Sequence, residues 1–339
     1  MNHTAFFAAV KSGATVPCYL LEGTEEYIKR QALSRLTEAL VPGDLQAMNV
    51  TTLSNPAADE LIAACETLPF LAEKRLVVVT DCDLLATGKK AEDDGKCDAL
   101  LAYLPHLSPS TVLVFYQRGK ADARKRFFLA LKKQNAIVSF GPMDDAECAR
   151  WIQATLKQRG KQIDRPTAEL LMFTVGRDAA LLKQEMDKLA DSVADCVQIT
   201  GEHIAAICTA SLECTVFQMI DAQVAGDLPR ALTLLRAMLR RGEDSFGVLA
   251  MLLRQYRILY HAKALQLERA PGASLAGLLG IPPFSVNRTL QQARGYTPEQ
   301  LKAAYDLLYS MEQGLKNGTL PQEGLAQQAL LELDGILRT

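Results

Sequence analysis

No Cys-x-x-Cys pair occurs in this sequence, and no His-Glu-x-x-His. The eight cysteines are scattered, at Cys18, Cys65, Cys82, Cys97, Cys148, Cys196, Cys208 and Cys214, and none of the four histidines stands at a ligand spacing from one. A metal centre built on a local motif is therefore not expected. Scattered cysteines in a long chain point to buried free thiols in a reducing cytosol. No apolar run approaches the ~18 residues that a membrane helix needs. No basic segment precedes the short apolar patch of MNHTAFFAAV, and Lys11 ends it, so no secretory signal is expected. Phe6, Phe7 and Val10 read instead as the buried stripe of a short first helix. Neither sign of charge is in large excess. A net charge of −2 gives no general attraction to nucleic acid or membrane, so a basic contact must be a local patch.

What is present is an ordinary globular composition, 49% hydrophobic and 22% charged, over 339 residues. That length suits two or three domains rather than one core. The first 140 residues alternate strand and helix signals. CYLLEG (18–23), MNVTTL (48–53), RLVVVT (75–80), TVLVFYQ (111–117) and AIVSFG (136–141) read as strands. EEYIKRQALSRLTEAL (25–40) reads as a helix. Asn55-Pro56 gives an N-cap and first-turn signal for another, running to about Glu66. Further helices are expected at 97–104 and 122–133, with the charged stretch 86–98 as an exposed loop. The alternation predicts a doubly wound, mostly parallel α/β sheet. After Gly141-Pro142 the strand signals largely stop. Helices with cap residues at their starts are expected over 144–160, 164–176 and 178–193, with a shorter one near Gly201. Residues 211–339 are helical again. Pro271-Gly272 and Pro282-Pro283 mark turns.

An α/β domain followed by helices invites a test for nucleotide chemistry. A phosphate loop, G-x-x-x-x-G-K-[S/T], would follow the first strand. Gly23 stands there, but Ile28 replaces the second glycine and Arg30 replaces the hydroxyl that would ligate magnesium. Glu25 and Glu26 would repel a polyphosphate at the helix start. Lys29 alone reads as an ordinary solvated helical lysine. Asp81, after the apolar residues of VVVTDCD, loosely fits a metal-nucleotide acid but has no phosphate cradle to serve. TGKKA (87–91) lacks both the first glycine and the hydroxyl, and G-x-S-x-G is absent.

Two stretches carry the remaining interest. In ETLPFLAEKRLVVVT (66–80), Pro69 ends the preceding helix near Glu66. Leu68, Phe70 and Leu71 then fall on a surface connection. Composition alone would fold them back onto the core, as most large apolar side chains are buried. In RGKADARKRFFLALKK (118–133), Arg124, Lys125 and Arg126 head a basic run. A solvated helix face is its common origin. A phosphate-tracking patch is the functional alternative. Leu232, Leu235, Leu239, Leu249, Leu252 and Tyr256 fit either an internal core or packing against a partner. Arg240, Arg241, Arg254 and Arg257 fit the surface or a subunit contact.

With these residues in view, the chain resembles the delta subunits of the bacterial DNA polymerase III clamp loader. The resemblance runs through YLLEGTEEYIKRQ, TLPFLAEKRLVVV, VGRDAALLKQEMDKL, GDLPRALTLLRAMLRRGEDSFGVLAMLLRQYRIL and the segment from Leu279 to Gly318. Their order and spacing carry it together. It implies the AAA-plus architecture of clamp loaders: a RecA-like α/β clamp-binding domain (1–141), a helical lid (142–210) and a helical collar for oligomerisation (211–339). It implies an accessory subunit of a DNA-directed DNA polymerase, cytoplasmic, with no catalytic site and no cofactor of its own. The partners implied are the beta sliding clamp, gamma/tau and delta-prime subunits, and primed DNA. Leu68, Pro69, Phe70 and Leu71 would form a hydrophobic wedge that enters the clamp and helps open its ring for loading. Family members often carry two adjacent aromatic residues there, whereas the second position here is Leu71. A divergent AAA-plus ATPase and a delta-prime-like subunit are the alternatives. The latter is disfavoured because no cysteine-rich zinc module is present.

Overall fold

A computed structural model describes residues 1, 3–88, 94–193, 196–267, 272–281 and 283–338. The chain divides into two compact units, Met1–Met143 and Asp144–Thr339.

The first unit is built on five strands: β1 (Cys18–Glu22), β2 (Val50–Ser54), β3 (Arg75–Thr80), β4 (Thr111–Tyr116) and β5 (Ile137–Ser139). All pair in parallel, in the order β2-β3-β4-β1-β5. β3 and β4 lie centrally, which is why they are written as nearly unbroken Val, Leu and Phe: both their faces are covered. Its helices are α1 (His3–Ser12), α2 (Glu26–Leu40), the single turn α3 (Gln46–Asn49), α4 (Ala58–Glu66), α5 (Asp94–Tyr103) and α6 (Arg126–Lys133). One face of the sheet packs Leu20, Val77, Val79, Leu113 and Phe115 against Leu61 and Cys65 of α4, Leu100 of α5, and Phe127 and Leu131 of α6. The rings of Phe115 and Phe127 meet edge to face, with centroids 5.1 Å apart. On the opposite face Tyr19 packs edge-on against Phe6 of α1. Phe6 and Val10 are buried as expected. Phe7 is half-buried, and the Arg35 guanidinium lies 5.0 Å from its ring.

Several boundaries differ from the sequence reading. Met48 and Asn49 end α3, and the strand begins only at Val50. Asn55 is not an N-cap: its backbone is left-handed (φ 42°) and its side chain bonds to Asp83, so α4 starts after Ala57. α6 begins at Arg126, not at Asp122. Within the supposed exposed loop 86–98, residues 94–98 belong to α5, and 89–93 lie outside the described residues. The string 87–91 and the turn signals at Pro271 and Pro282 also fall wholly or partly outside them.

The second unit is helical: α7 (Asp145–Gln158), α8 (Arg165–Val175), α9 (Ala179–Ser192), α10 (Gly201–Ile207), α11 (Leu212–Val224), α12 (Leu228–Arg240), α13 (Ser245–Leu267), α14 (Gly272–Leu279), α15 (Pro283–Arg294), α16 (Pro298–Lys316) and α17 (Leu325–Arg338). Asp144, Asp164 and Asp178 cap α7, α8 and α9 by accepting from the backbone three residues on. α11, α12, α13, α16 and α17 share one core, in which Leu235, Leu249, Leu252 and Tyr256 are buried. Leu232 and Leu239 pack at its edge.

Six of the eight cysteines are buried, Cys208 is half-buried and Cys196 is exposed; all are free thiols. Burial pushes the Cys65 thiol up to about 12, which leaves it protonated and unreactive at neutral pH. Among the described residues no three metal-ligating side chains converge, and no single helix is long and apolar enough to cross a membrane.

Candidate partner-binding surface

α4 ends at Glu66, where the backbone turns extended at Thr67, two residues before Pro69. Thr67 Oγ1 donates to the Ala63 carbonyl at 2.9 Å and so satisfies an acceptor that the helix end leaves open. The connection from there to β3 carries the apolar cluster outward. Leu68 is 76% exposed, Phe70 52% and Leu71 78%. Pro69 between them is half-buried. The composition-based expectation that they fold onto the core does not hold. The reason is covalent and polar: the chain here is anchored by its backbone, which aims the side chains away.

The main anchor is Asn49, which has no exposed surface. Its Oδ1 accepts from the Phe70 N–H at 2.6 Å, and its Nδ2 donates to the Phe70 carbonyl at 2.9 Å and to the Leu45 carbonyl at 3.0 Å. The far end of the loop is held by Lys74, whose ammonium donates to the Pro109 carbonyl at 2.7 Å. Arg75, 9% exposed, donates to Thr51 Oγ1 at 2.7 Å and the Met48 carbonyl at 3.3 Å. Met48 is itself 59% exposed, so α3 adds a fourth large apolar side chain beside the residue that grips Phe70. Isolated exposed apolar residues are common, whereas several gathered on one anchored turn mark a contact surface.

The other end of the sheet behaves oppositely. In an open α/β sheet the ligand crevice lies beyond the strand carboxyl ends where the strand order reverses, here between β1 and β4. There the strand ends are tied to each other, beside an open cavity of about 530 Å³ lined by Glu26, Arg30, Thr80, Tyr116 and Arg118. The Gly23 N–H donates to the Gly119 carbonyl at 2.7 Å, bridging the two strand ends. Lys29 is not the solvated lysine expected from its helical position; it has no exposed surface. Its ammonium donates to the Gly23 carbonyl at 2.8 Å, the Gln117 carbonyl at 2.7 Å and Glu26 Oε1 at 2.5 Å. It also lies 4.9 Å from the centre of the Tyr116 ring. Burial alone would raise the Glu26 carboxyl. Hydrogen bonds from Lys29, Tyr116 and the Gly119 N–H outweigh it and hold the group below its ordinary range.

The basic run is less open than its letters suggest. Arg124 is exposed but grips Asp122 through two N–H groups, at 3.0 and 2.8 Å, and this pairing holds the Asp122 carboxyl down at about 2. Lys125 is buried, its ammonium donating to the Asp83 carbonyl at 2.7 Å. Arg126 is exposed and pairs with Asp98 at 2.5 Å. In the second unit, Arg254 pairs with Glu213 at 2.8 Å.

Residues 19–140 match the family model described as DNA polymerase III, delta subunit, and residues 213–333 match that of the DNA polymerase III delta subunit, C-terminal domain. The chain belongs to the DNA polymerase III delta-subunit family. It is 28% identical over 329 residues to DNA polymerase III subunit delta of Bacillus subtilis, covering 96% of this chain and 95% of that one. It is 24% identical over 226 residues to the Escherichia coli subunit delta, covering 64% and 61% of the two chains. A solved structure of the Bacillus subtilis DNA clamp loader delta protein superposes with a TM-score of 0.59 at 26% identity, covering 98% of this chain and 99% of that one. The expected architecture, a parallel five-stranded sheet followed by a helical remainder, is thus found in the fold and in this delta-family relative.

Within this delta-family chain, Leu68, Pro69, Phe70 and Leu71 stand together on one turn. Arg124 and Arg126 stand apart from Lys125, whose charged end points inward. Sequence reading missed Met48 and Asn49, both assigned to a strand. The polar Asn49 just before the β-branched VTT was the available signal of a helix end.

Proposed function

We propose that this delta-family chain is the clamp-opening subunit of a DNA polymerase III clamp loader, and that it grips the beta sliding clamp through Leu68, Pro69, Phe70 and Leu71, with Met48 at the margin. The observation that carries the reading is the exposure of three large apolar side chains on a backbone-anchored turn. Burying one such side chain contributes ~1.5–3 kcal/mol, so Phe70 and Leu71 together supply ~3–6 kcal/mol before association costs. That anchors a complex. Ring opening additionally requires tighter binding to the open ring than to the closed one, so more surface of the first unit joins the contact.

The role is accessory. Gly23 and Lys29, the two groups best placed to receive a phosphate, are committed to internal hydrogen bonds, which favours a subunit that works without a nucleotide of its own. Nucleotide control then comes from gamma/tau neighbours. Those and a delta-prime subunit join through a collar formed by 211–339, with 142–210 as the lid, and the assembly acts in the cytoplasm on primed DNA. Arg124 and Arg126, exposed on the basic run, are the proposed DNA contacts, each exchanging its aspartate for a phosphate.

The test is binding of the purified chain to its cognate clamp without ATP, beside the Phe70→Ala/Leu71→Ala variant. Wild-type binding that vanishes in a folded variant supports the reading. No wild-type binding at micromolar concentrations removes it, and equal binding by both moves the contact elsewhere.

A further inference from the structure

We propose that Asn49 is a positioning residue for the clamp-binding turn, holding the Phe70 backbone so that the apolar side chains meet the partner already in their bound arrangement. This rests on the reading of that turn as the clamp contact. The Asn49 carboxamide does for Phe70 what a neighbouring strand would do: it accepts from the N–H and donates to the carbonyl of the same residue, at 2.6 and 2.9 Å. Its second N–H reaches the Leu45 carbonyl at 3.0 Å, and this fixes which end of the carboxamide faces which backbone group. A fully buried asparagine with these three bonds has one orientation available to it.

The turn needs such a tether because its own side chains give it little. Leu68 and Leu71 are more than three-quarters exposed, so core packing does not hold them. Leu71 also has a left-handed backbone, φ 51°, a region that residues with a Cβ seldom enter. Such a conformation persists only where the surroundings over-determine it. Here the surroundings are Asn49 on one side and the buried Arg75 with Lys74 on the other. A turn held this way loses less conformational freedom on binding than a free one, which is where the affinity gain comes from.

The experiment is a double-variant cycle on the full chain, titrating the purified cognate clamp ring. Asn49→Ala weakens binding by about 10- to 30-fold, the loss expected for two tethering hydrogen bonds. In a Phe70→Ala background the same change has a smaller effect, about 2- to 5-fold, because the ring is gone while the backbone tether still places Leu68 and Leu71. Equal factors in both backgrounds give Asn49 a general structural role and overturn the proposal. A second measurement needs no partner: hydrogen exchange at the Phe70 amide of the free chain. Exchange about tenfold or more slower than at Leu71 is expected, with the protection lost in Asn49→Ala. A Phe70 amide exchanging at the Leu71 rate in the wild type overturns the proposal even if the clamp binds. A protected amide in a chain that does not bind the clamp instead overturns the clamp reading and leaves the tether standing.

Discussion

Two places in the first unit reverse the usual rule of burial, and they reverse it in opposite senses. At the crevice between β1 and β4 a lysine is wholly inside; on the turn before β3, Leu68, Phe70 and Leu71 are largely outside. Lys29 is stable where it is because its three ammonium hydrogens meet three acceptors, one of them the Glu26 carboxylate. Nothing more is required of the surroundings, and the ammonium is fully satisfied where it lies. On the turn the backbone of Phe70 is satisfied by Asn49, while the unit covers only half of the Phe70 side chain and less of Leu68 and Leu71. A polar group buried with all its partners closes a site. An apolar group exposed on an anchored backbone leaves one open for another molecule.

The comparison breaks most visibly at the turn. Phe70→Ala/Leu71→Ala should lose ~3–6 kcal/mol of clamp affinity, about 100- to 10⁴-fold, with its urea midpoint nearly that of the wild type, because exposed side chains add little to folding. A large drop in the midpoint would return both residues to the core. At the crevice the expected effect falls on stability. Lys29→Met strips the ammonium from the Gly23 and Gln117 carbonyls and from the Glu26 carboxylate, which keeps only its Tyr116 and Gly119 donors, and should cost ~3–5 kcal/mol of unfolding free energy in urea titration. A cost under ~1 kcal/mol would mean that water replaces the ammonium freely.

The same crevice should respond to acid. The Glu26 carboxyl is held below its ordinary value of 4.5, so the stability that it adds is complete above that value and is lost as pH falls through the lowered, folded-state one. Urea midpoints followed from about pH 6 to about pH 3 should decline less steeply in Glu26→Gln than in the wild type. Smaller still is the effect of Met48→Ala at the margin of the turn, expected at ~1 kcal/mol, about a 5-fold loss of clamp affinity with no change in stability. Last, Arg124→Ala with Arg126→Ala bears on whether the basic run touches DNA at all. Two lost phosphate contacts would lower the salt slope of primed-DNA binding by about 1.8. An unchanged slope assigns both arginines to their aspartates.

What could be read from the letters was whatever depends on near neighbours. The unbroken valines of β3 gave a buried strand, and Asp144, Asp164 and Asp178 gave helix starts that the structure repeats. The turn stood out because large apolar residues surround a proline. What could not be read depends on residues far away along the chain. Lys29 is taken inside by the Gln117 carbonyl, 88 positions later, and Asn49 meets Phe70 across 21 positions. Lys125 loses its place in the basic run to Asp83 in the same way. Asn55 carried a fair N-cap signal, but its side chain had a better partner in that same Asp83. Each failure has one cause: a polar side chain with several possible partners, among which only the tertiary fold decides.

Gly23 carries a consequence for engineering. Ile28→Gly with Arg30→Ser would restore the letters of a phosphate loop without restoring room for a phosphate. The Gly23 amide is already bonded to Gly119, and the Phe140 backbone lies so near that a Cβ at position 23 would come within 2.2 Å of its carbonyl oxygen. Three segments of the sheet end, following β1, β4 and β5, would have to part together before either substitution brought any benefit. The same interlock makes this end of the molecule a dependable fixed frame on which to vary the turn at the other.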